Sequence, residues 1–134
     1  MMLALGETLT TPEQAVKPEM MHVWAKVLRD PNPIHTDVEA VRARGLGDRV
    51  INQGPGNISY IMNMLLAAFP AGRLAGIKVR FLDNVFGGEL VTPSAVVLSI
   101  EDSPEGRRFS LAIALHAEGR LVLDGDAIVL TPSV

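Results

Sequence analysis

Residues 28–37 read Leu-Arg-Asp-Pro-Asn-Pro-Ile-His-Thr-Asp, placing a carboxylate (Asp30), an amide (Asn32) and an imidazole (His35) within six positions. A carboxylate and an imidazole brought together can hold one water between them, one accepting its proton while the other donates elsewhere. An imidazole titrates near neutral pH and can serve in either role. Pro31 and Pro33 fix φ at their own positions and so restrict the polar groups between and beside them. Rigid placement of this kind is what acid–base chemistry requires. As residue types alone, Asp and Asn before proline also suit a turn, and both readings stand at this point. A second stretch, Ile51-Asn-Gln-Gly-Pro-Gly-Asn-Ile-Ser59, opens an apolar helical pattern. The first N–H groups of a helix have no intrahelical partner and face the positive end of its dipole, so they can stabilise an oxyanion. Pro55 has no N–H, so a donor here would be Gly54 or Gly56; read alone, Gly-Pro-Gly equally suits a plain helix-entry turn. Ser59 could line a pocket there or bond a backbone carbonyl of its own helix.

The elements that must carry these groups follow from periodicity. Residues 18–30 predict a helix, with Pro18 at its first position and Met20, Val23, Trp24, Val27 and Leu28 on one apolar face. It must end near Asp30, because a residue before proline avoids the α region. Thr36 and Glu39 form a capping-box pattern for a short second helix, and Gly45 suits its end. In residues 54–69 Ile58, Tyr60, Ile61, Met62, Met64, Leu65, Leu66 and Phe69 surround most of the circumference. Such a helix belongs in the middle of a fold. After residue 75 the period changes to two: Ile77, Val79 and Phe81 alternate with Lys78 and Arg80, and Phe109, Leu111, Ile113 and Leu115 with Ser110, Ala112, Ala114 and His116. Residues 103–106 and Glu118-Gly119 predict hairpin turns. Pro93 implies a sheet edge or a bulge in its strand. A short strand within residues 8–16 completes the pattern. Helices first and antiparallel strands second make an α+β chain, its sheet curled around one greasy helix in the hot-dog manner.

Composition narrows the function. The 134 residues are 48 % hydrophobic and 20 % charged, which suits one domain spanning 1–134. A net charge of −3 without a basic stripe argues against a nucleic-acid partner. Cysteine is absent, so neither disulfides nor thiolate chemistry is expected. His22, His35 and His116 are too scattered for a zinc helix, and no metal site is expected. No signal-peptide pattern opens the chain, and the apolar run within 58–69 is too short to span a bilayer. A cytoplasmic protein without membrane contact is the expectation.

The stretch Asp30-Pro-Asn-Pro-Ile-His35 resembles the Asp-x-Asn-Pro-hydrophobic-His signature of the MaoC-like, (R)-specific enoyl-CoA hydratase family, also called hydratase 2. Every defined position matches. The resemblance implies a hot-dog fold and reversible syn hydration of a trans-2-enoyl-CoA to an (R)-3-hydroxyacyl-CoA. It implies that Asp30 and His35 hold the attacking water, that Asn32 helps orient it, and that the Gly54 amide binds the thioester oxygen. No cofactor is implied, coenzyme A being part of the substrate. Arg80, Arg107, Arg108 and Arg120 are the cations considered for its phosphates, and none is assigned. His22 and His116 are expected to be structural. The chain departs from the family pattern at Arg29, where Gly is common, and at Gln53-Gly54-Pro55, where His-Gly-Met is common. Pro55 followed by Gly56 suggests a roomier acyl site, or one completed by another subunit. A homodimer, or a heteromer with another hot-dog chain acting on a bulky, steroid-like acyl-CoA, is therefore expected. Alternatives are dehydration of a 3-hydroxyacyl group carried on acyl-carrier protein, an acyl-CoA thioesterase, and a non-catalytic thioester-binding subunit. The intact Asp–His signature counts against the last two.

Overall fold

Alternation of period two becomes four long strands: β3 (Arg73–Phe81), β4 (Leu90–Ser103), β5 (Gly106–Ala117) and β6 (Arg120–Thr131). The computed structural model describes residues 3–133; Met1, Met2 and Val134, at the ends of the expected 1–134 domain, lie outside them. Two short strands, β1 (Thr8–Thr10) and β2 (Gln14–Ala15), precede the helices α1 (Pro18–Leu28), α2 (Val38–Ala43) and α3 (Gly54–Ala68). The strands form one antiparallel sheet in the order β1-β4-β5-β6-β3, with β2 also pairing β4. Both predicted hairpins are present. The β5–β6 turn has φ of 48° at Glu118 and 82° at Gly119, the left-handed pair that matches strand twist.

Pro93 sits at neither a terminal edge nor a bulge. Its strand pairs with β2 at residues 90–91 and with β1 at residues 94–96, so the missing N–H falls in the interval between them. The Thr10 hydroxyl closes that interval by donating to the Pro93 carbonyl at 2.9 Å.

The inward residues Phe109, Leu111, Ile113 and Leu115 of β5 meet Ile61, Met64 and Leu65 of α3, all buried. Each such side chain stabilises the fold by roughly 1.5–3 kcal/mol. Phe69, just past α3, packs its ring 4.9 Å from that of Phe109 and pins the helix end to the sheet. With α3 touching β1, β3, β4 and β5, the arrangement is the hot-dog fold.

Two expectations about helix faces need correction. The circumference of α3 is not fully covered: Met62 is 37 % and Leu66 48 % exposed, because the sheet wraps only one side. The predicted face of α1 is also not its buried one. Met20, Val23, Val27 and Leu28 are exposed, whereas Met21 is fully buried and Trp24 partly so. The helix is held through Met21, whose carbonyl accepts from Gln53 Nε2 at 2.8 Å, and this turns the expected stripe outward.

Among the described residues, no helix is long and apolar enough to cross a membrane.

Candidate active site

The end of α1 delivers Asp30. Arg29 adopts the left-handed conformation with φ 52°, and the Asp30 N–H bonds back to the Ala25 carbonyl at 3.0 Å. This is the hydrogen-bond pattern that closes a helix through a left-handed residue. The conformation is one that glycine adopts freely and arginine does not. Pro31 then prevents any continuation. Asp30 Oδ1 accepts the Asn32 N–H at 3.0 Å, which leaves Oδ2 free to face the interior.

Asn32 caps a 3₁₀ turn over Pro33–His35, its Oδ1 accepting from Ile34 N–H at 3.3 Å and from Arg44 Nη1 at 2.9 Å. The Asn32 oxygen is thus engaged in shaping the turn, which leaves its amide nitrogen for the expected role of orienting a water. The same turn shifts the start of α2. Thr36 and Asp37 both donate their N–H groups to the Pro33 carbonyl, so Asp37 caps the helix, accepting from Glu39 N–H, in place of the predicted Thr36.

The turn buries His35. Its Nδ1 lies 2.6 Å from the Ile51 carbonyl oxygen, which can only accept, so Nδ1 carries a proton. Its Nε2 lies 3.2 Å from Asp30 Oδ2. In the neutral imidazole that Nε2 is an acceptor facing a carboxylate oxygen, and two acceptors cannot bond each other. At this distance a shared proton satisfies the pair directly, and a water beside the two atoms satisfies it by donating one O–H to each. The His35 side chain is 10 % exposed and that of Asp30 32 %, so the gap is reachable from outside.

The Ile51 carbonyl is itself held on two sides. Ile51 N–H donates to the Ile34 carbonyl at 2.9 Å, tying residues 50–52 to the 3₁₀ turn. On the other side residues 82–89 run alongside: Asn52 N–H bonds Val85 at 2.7 Å, Gly87 N–H bonds Val50 at 2.8 Å, and Ile51 bridges Phe86. That loop is gathered by Arg120, the first residue of β6. Its guanidinium donates to the Asp83 carboxylate, the Asn84 carbonyl and both oxygens of Glu89, at 2.7–3.1 Å. Glu89 also accepts the Phe86 N–H at 2.8 Å, and its side chain is 1 % exposed. The hydrogen bonds from Arg120 hold its carboxyl below the usual carboxylate range, outweighing the burial that pushes it up.

Helix α3 begins where residues 50–52 end. Neither the Gly54 nor the Gly56 N–H meets an acceptor among the described residues, so both amides at this helix start are unpaired. Their surroundings differ. A Cβ on Gly54 would come 3.0 Å from the Phe81 ring, which walls this position. A Cβ on Gly56 would meet the Asn52 amide at 3.0 Å and Trp24 Nε1 at 3.2 Å. The space expected beside Gly56 is therefore filled within the chain. Ser59 donates its hydroxyl to the Gly56 carbonyl at 2.6 Å, taking the local role rather than facing a pocket. Gln53, buried where the family pattern has His, donates to Met21, and its Oε1 has no partner among the described residues.

A cavity of about 310 Å³ opens against His35 between His22 of α1, Val38 of α2 and Arg49. His22, expected to be structural, lines this cavity, as does Arg49, which sits in the loop before Val50 and leaves no periodic signal. Of the arginines considered for phosphates, Arg80 pairs with Asp124, Arg107 with Asp102 and Arg120 with Glu89. His116 is exposed on β5, paired across to Thr92 and away from the site. Among the described residues no three His, Asp or Glu side chains converge as a metal site would require.

A family model described as a MaoC like domain matches residues 3–111. The (R)-hydratase from A. caviae involved in PHA biosynthesis superposes with a TM-score of 0.87 at 22 % identity, over 97 % of this chain and 98 % of that one. R-hydratase PhaJ1 from Pseudomonas aeruginosa gives 0.83 at 23 % identity, over 98 % and 84 %. The ChsH1-ChsH2 complex from Mycobacterium tuberculosis gives 0.82 at 15 % identity, over 97 % and 99 %. At these identities the superpositions speak for the fold. No curated protein matches the sequence.

Proposed function

The chain belongs to the MaoC-like dehydratase family, and from that premise we propose that it adds water reversibly to a trans-2-enoyl-CoA, giving the (R)-3-hydroxyacyl-CoA. The observation that carries the reading is the orientation of His35. With Nδ1–H bonded to the Ile51 carbonyl, Nε2 is left 3.2 Å from Asp30 Oδ2, and a water seated beside the two atoms places one O–H toward each.

A water held there gives its oxygen to C3 of the enoyl group and one proton to the Asp30–His35 pair. The thioester carbonyl gains negative charge as the C3–O bond forms. The free N–H of Gly54 is the donor suited to it, at the positive end of the 15-residue helix α3. The pair then returns a proton to C2 on the same face, and the enolate collapses to product. Microscopic reversibility makes the same groups serve dehydration. Asp30 and His35 act as one coupled unit in this scheme, and Asn32 contributes by shaping the turn that presents them.

We place the working enzyme in a homodimer or in a heteromer with another hot-dog chain. The exposed stripes of α1 and α3 and the free edge of β3 support association. Because the space beside Gly56 is filled by Asn52 and Trp24, selectivity for a bulky acyl group rests on what the second chain contributes.

The test is the loss of enoyl-thioester absorbance across a panel of acyl groups, on coenzyme A and on acyl-carrier protein, with wild type, Asp30→Asn and His35→Ala. Wild type turns over, and each variant falls by about 10²–10⁴-fold, the usual contribution of a positioned acid or base. Equal activity in all three would end the assignment.

A further inference from the structure

The mechanism uses His35 but not the ion pair behind it, a buried Glu89 carboxylate held by the part-exposed Arg120. Glu89 and Arg120 lie outside the reacting gap and face neither Asp30 nor Gly54 directly. Yet an unbroken line of hydrogen bonds joins them to the imidazole. Arg120 fixes Glu89, Asp83 and Asn84; Glu89 fixes Phe86 N–H; the loop so gathered pairs with Val50 and Asn52; and between these two lies the Ile51 carbonyl that holds His35 Nδ1. A Glu side chain 1 % exposed, with both oxygens engaged by one guanidinium, is an expensive way to close a loop that faces solvent at Asp83 and Asn84.

We infer that Glu89 and Arg120 form a positioning pair for His35. By fixing the 82–89 loop they set the direction of the Ile51 carbonyl, and that carbonyl selects the Nδ1–H tautomer and the ring orientation that leave Nε2 toward Asp30. The proposal rests on the reading of His35 as half of the reacting pair, but its first consequence is structural and can be read without turnover. A hydrogen-bond acceptor on one ring nitrogen decides which form the other presents. If the carbonyl swings away, the imidazole loses its reason to keep the proton on Nδ1.

The test uses the full-length chain with ¹⁵N-labelled histidine in wild type, Glu89→Gln, Arg120→Lys and Asp102→Asn. The last removes the exposed partner of Arg107, remote from the loop. The His35 signals, assigned by their loss in His35→Ala, should show one Nδ1–H tautomer in wild type and Asp102→Asn. In Glu89→Gln and Arg120→Lys they should show a mixture of tautomers. Hydration should then show kcat reduced about tenfold with KM within twofold, and a displaced pH profile. Arg120→Lys keeps the charge, so a readable protein remains should Glu89→Gln fold poorly. Unchanged His35 tautomers in a folded variant overturn the proposal, whatever the kinetics do. A wild type without hydratase activity but with the tautomer shift upholds the positioning pair and removes only the reaction assigned to it.

Discussion

At the residue scale, the site is governed by which atoms are already spoken for. Asp30 Oδ1, Asn32 Oδ1 and His35 Nδ1 are all engaged in backbone contacts, and only Asp30 Oδ2 and His35 Nε2 are turned toward each other. The sequence made the residue types legible, because two prolines around Asn32 are excessive for an ordinary turn. It could not reveal the division of labour within Asn32, since an amide that shapes a turn and one that orients water read alike. Nor could it reveal Glu89, which matches no motif and whose partner Arg120 lies 31 residues away. That carboxylate makes a prediction of its own. Its pKa is depressed in the folded state, so its contribution is fully present above the unfolded value of about 4.3 and is lost as pH falls through the folded one. Glu89→Gln should cost about 1–3 kcal/mol at neutral pH, the range for disrupting a buried polar group. In urea titrations the gap to wild type should narrow below about pH 4. A gap that stays constant down to pH 2 would place the stabilisation elsewhere.

At the scale of elements, boundaries were legible where a proline or glycine enforced them. Pro18, Pro31 and Gly45 mark α1 and α2 within a residue or two. The cap of α2 moved from Thr36 to Asp37 because a 3₁₀ turn used the preceding N–H groups, a local competition that capping patterns do not encode. The face of α1 was misread for a related reason: apolar spacing identifies a stripe but not which neighbour it meets. Arg29 shows the same gap between pattern and cause. The family's usual glycine is explained by the left-handed φ at that position, and Arg29 holds it at a cost of about 1–2 kcal/mol. Arg29→Gly should therefore raise the unfolding free energy by about 0.5–1 kcal/mol after glycine's extra chain entropy is subtracted. Thermal and urea unfolding will show it, and a destabilised variant would mean that the arginine side chain makes a contribution larger than the strain.

At the scale of the whole molecule, the hot-dog plan was readable from the change of period after residue 75 and from the apolar helix before it. The openness of that helix was not, because circumference statistics assume a single chain must bury what is apolar. Met62 and Leu66 on α3, Val23 and Val27 on α1, and Phe81 and Leu82 beside the β3 edge are apolar and exposed. Leu66→Glu places a charge on one such face without touching the core, so the monomer fold should persist. Light scattering should show the assembly shifted toward smaller species at micromolar concentration. An unchanged mass would remove the α3 face from the proposed association and leave it to the α1 stripe or the β3 edge.

The anchoring of His35 also has a meaning in time. The residue leaves the ribosome ahead of the carbonyl at 51, the loop at 82–89 and finally Arg120, on which its setting depends. Helices α1 and α2 can form locally, but the β3–β6 pairing brings together residues as far as 57 apart in the chain, as with Arg73 and Leu130. A nascent chain lacking β6 would carry the proposed reacting groups and their local turn, but not the Arg120 contacts behind the Ile51 carbonyl. The turn that presents the proposed reacting pair is thus completed by contacts that arrive only with the last strand of the sheet.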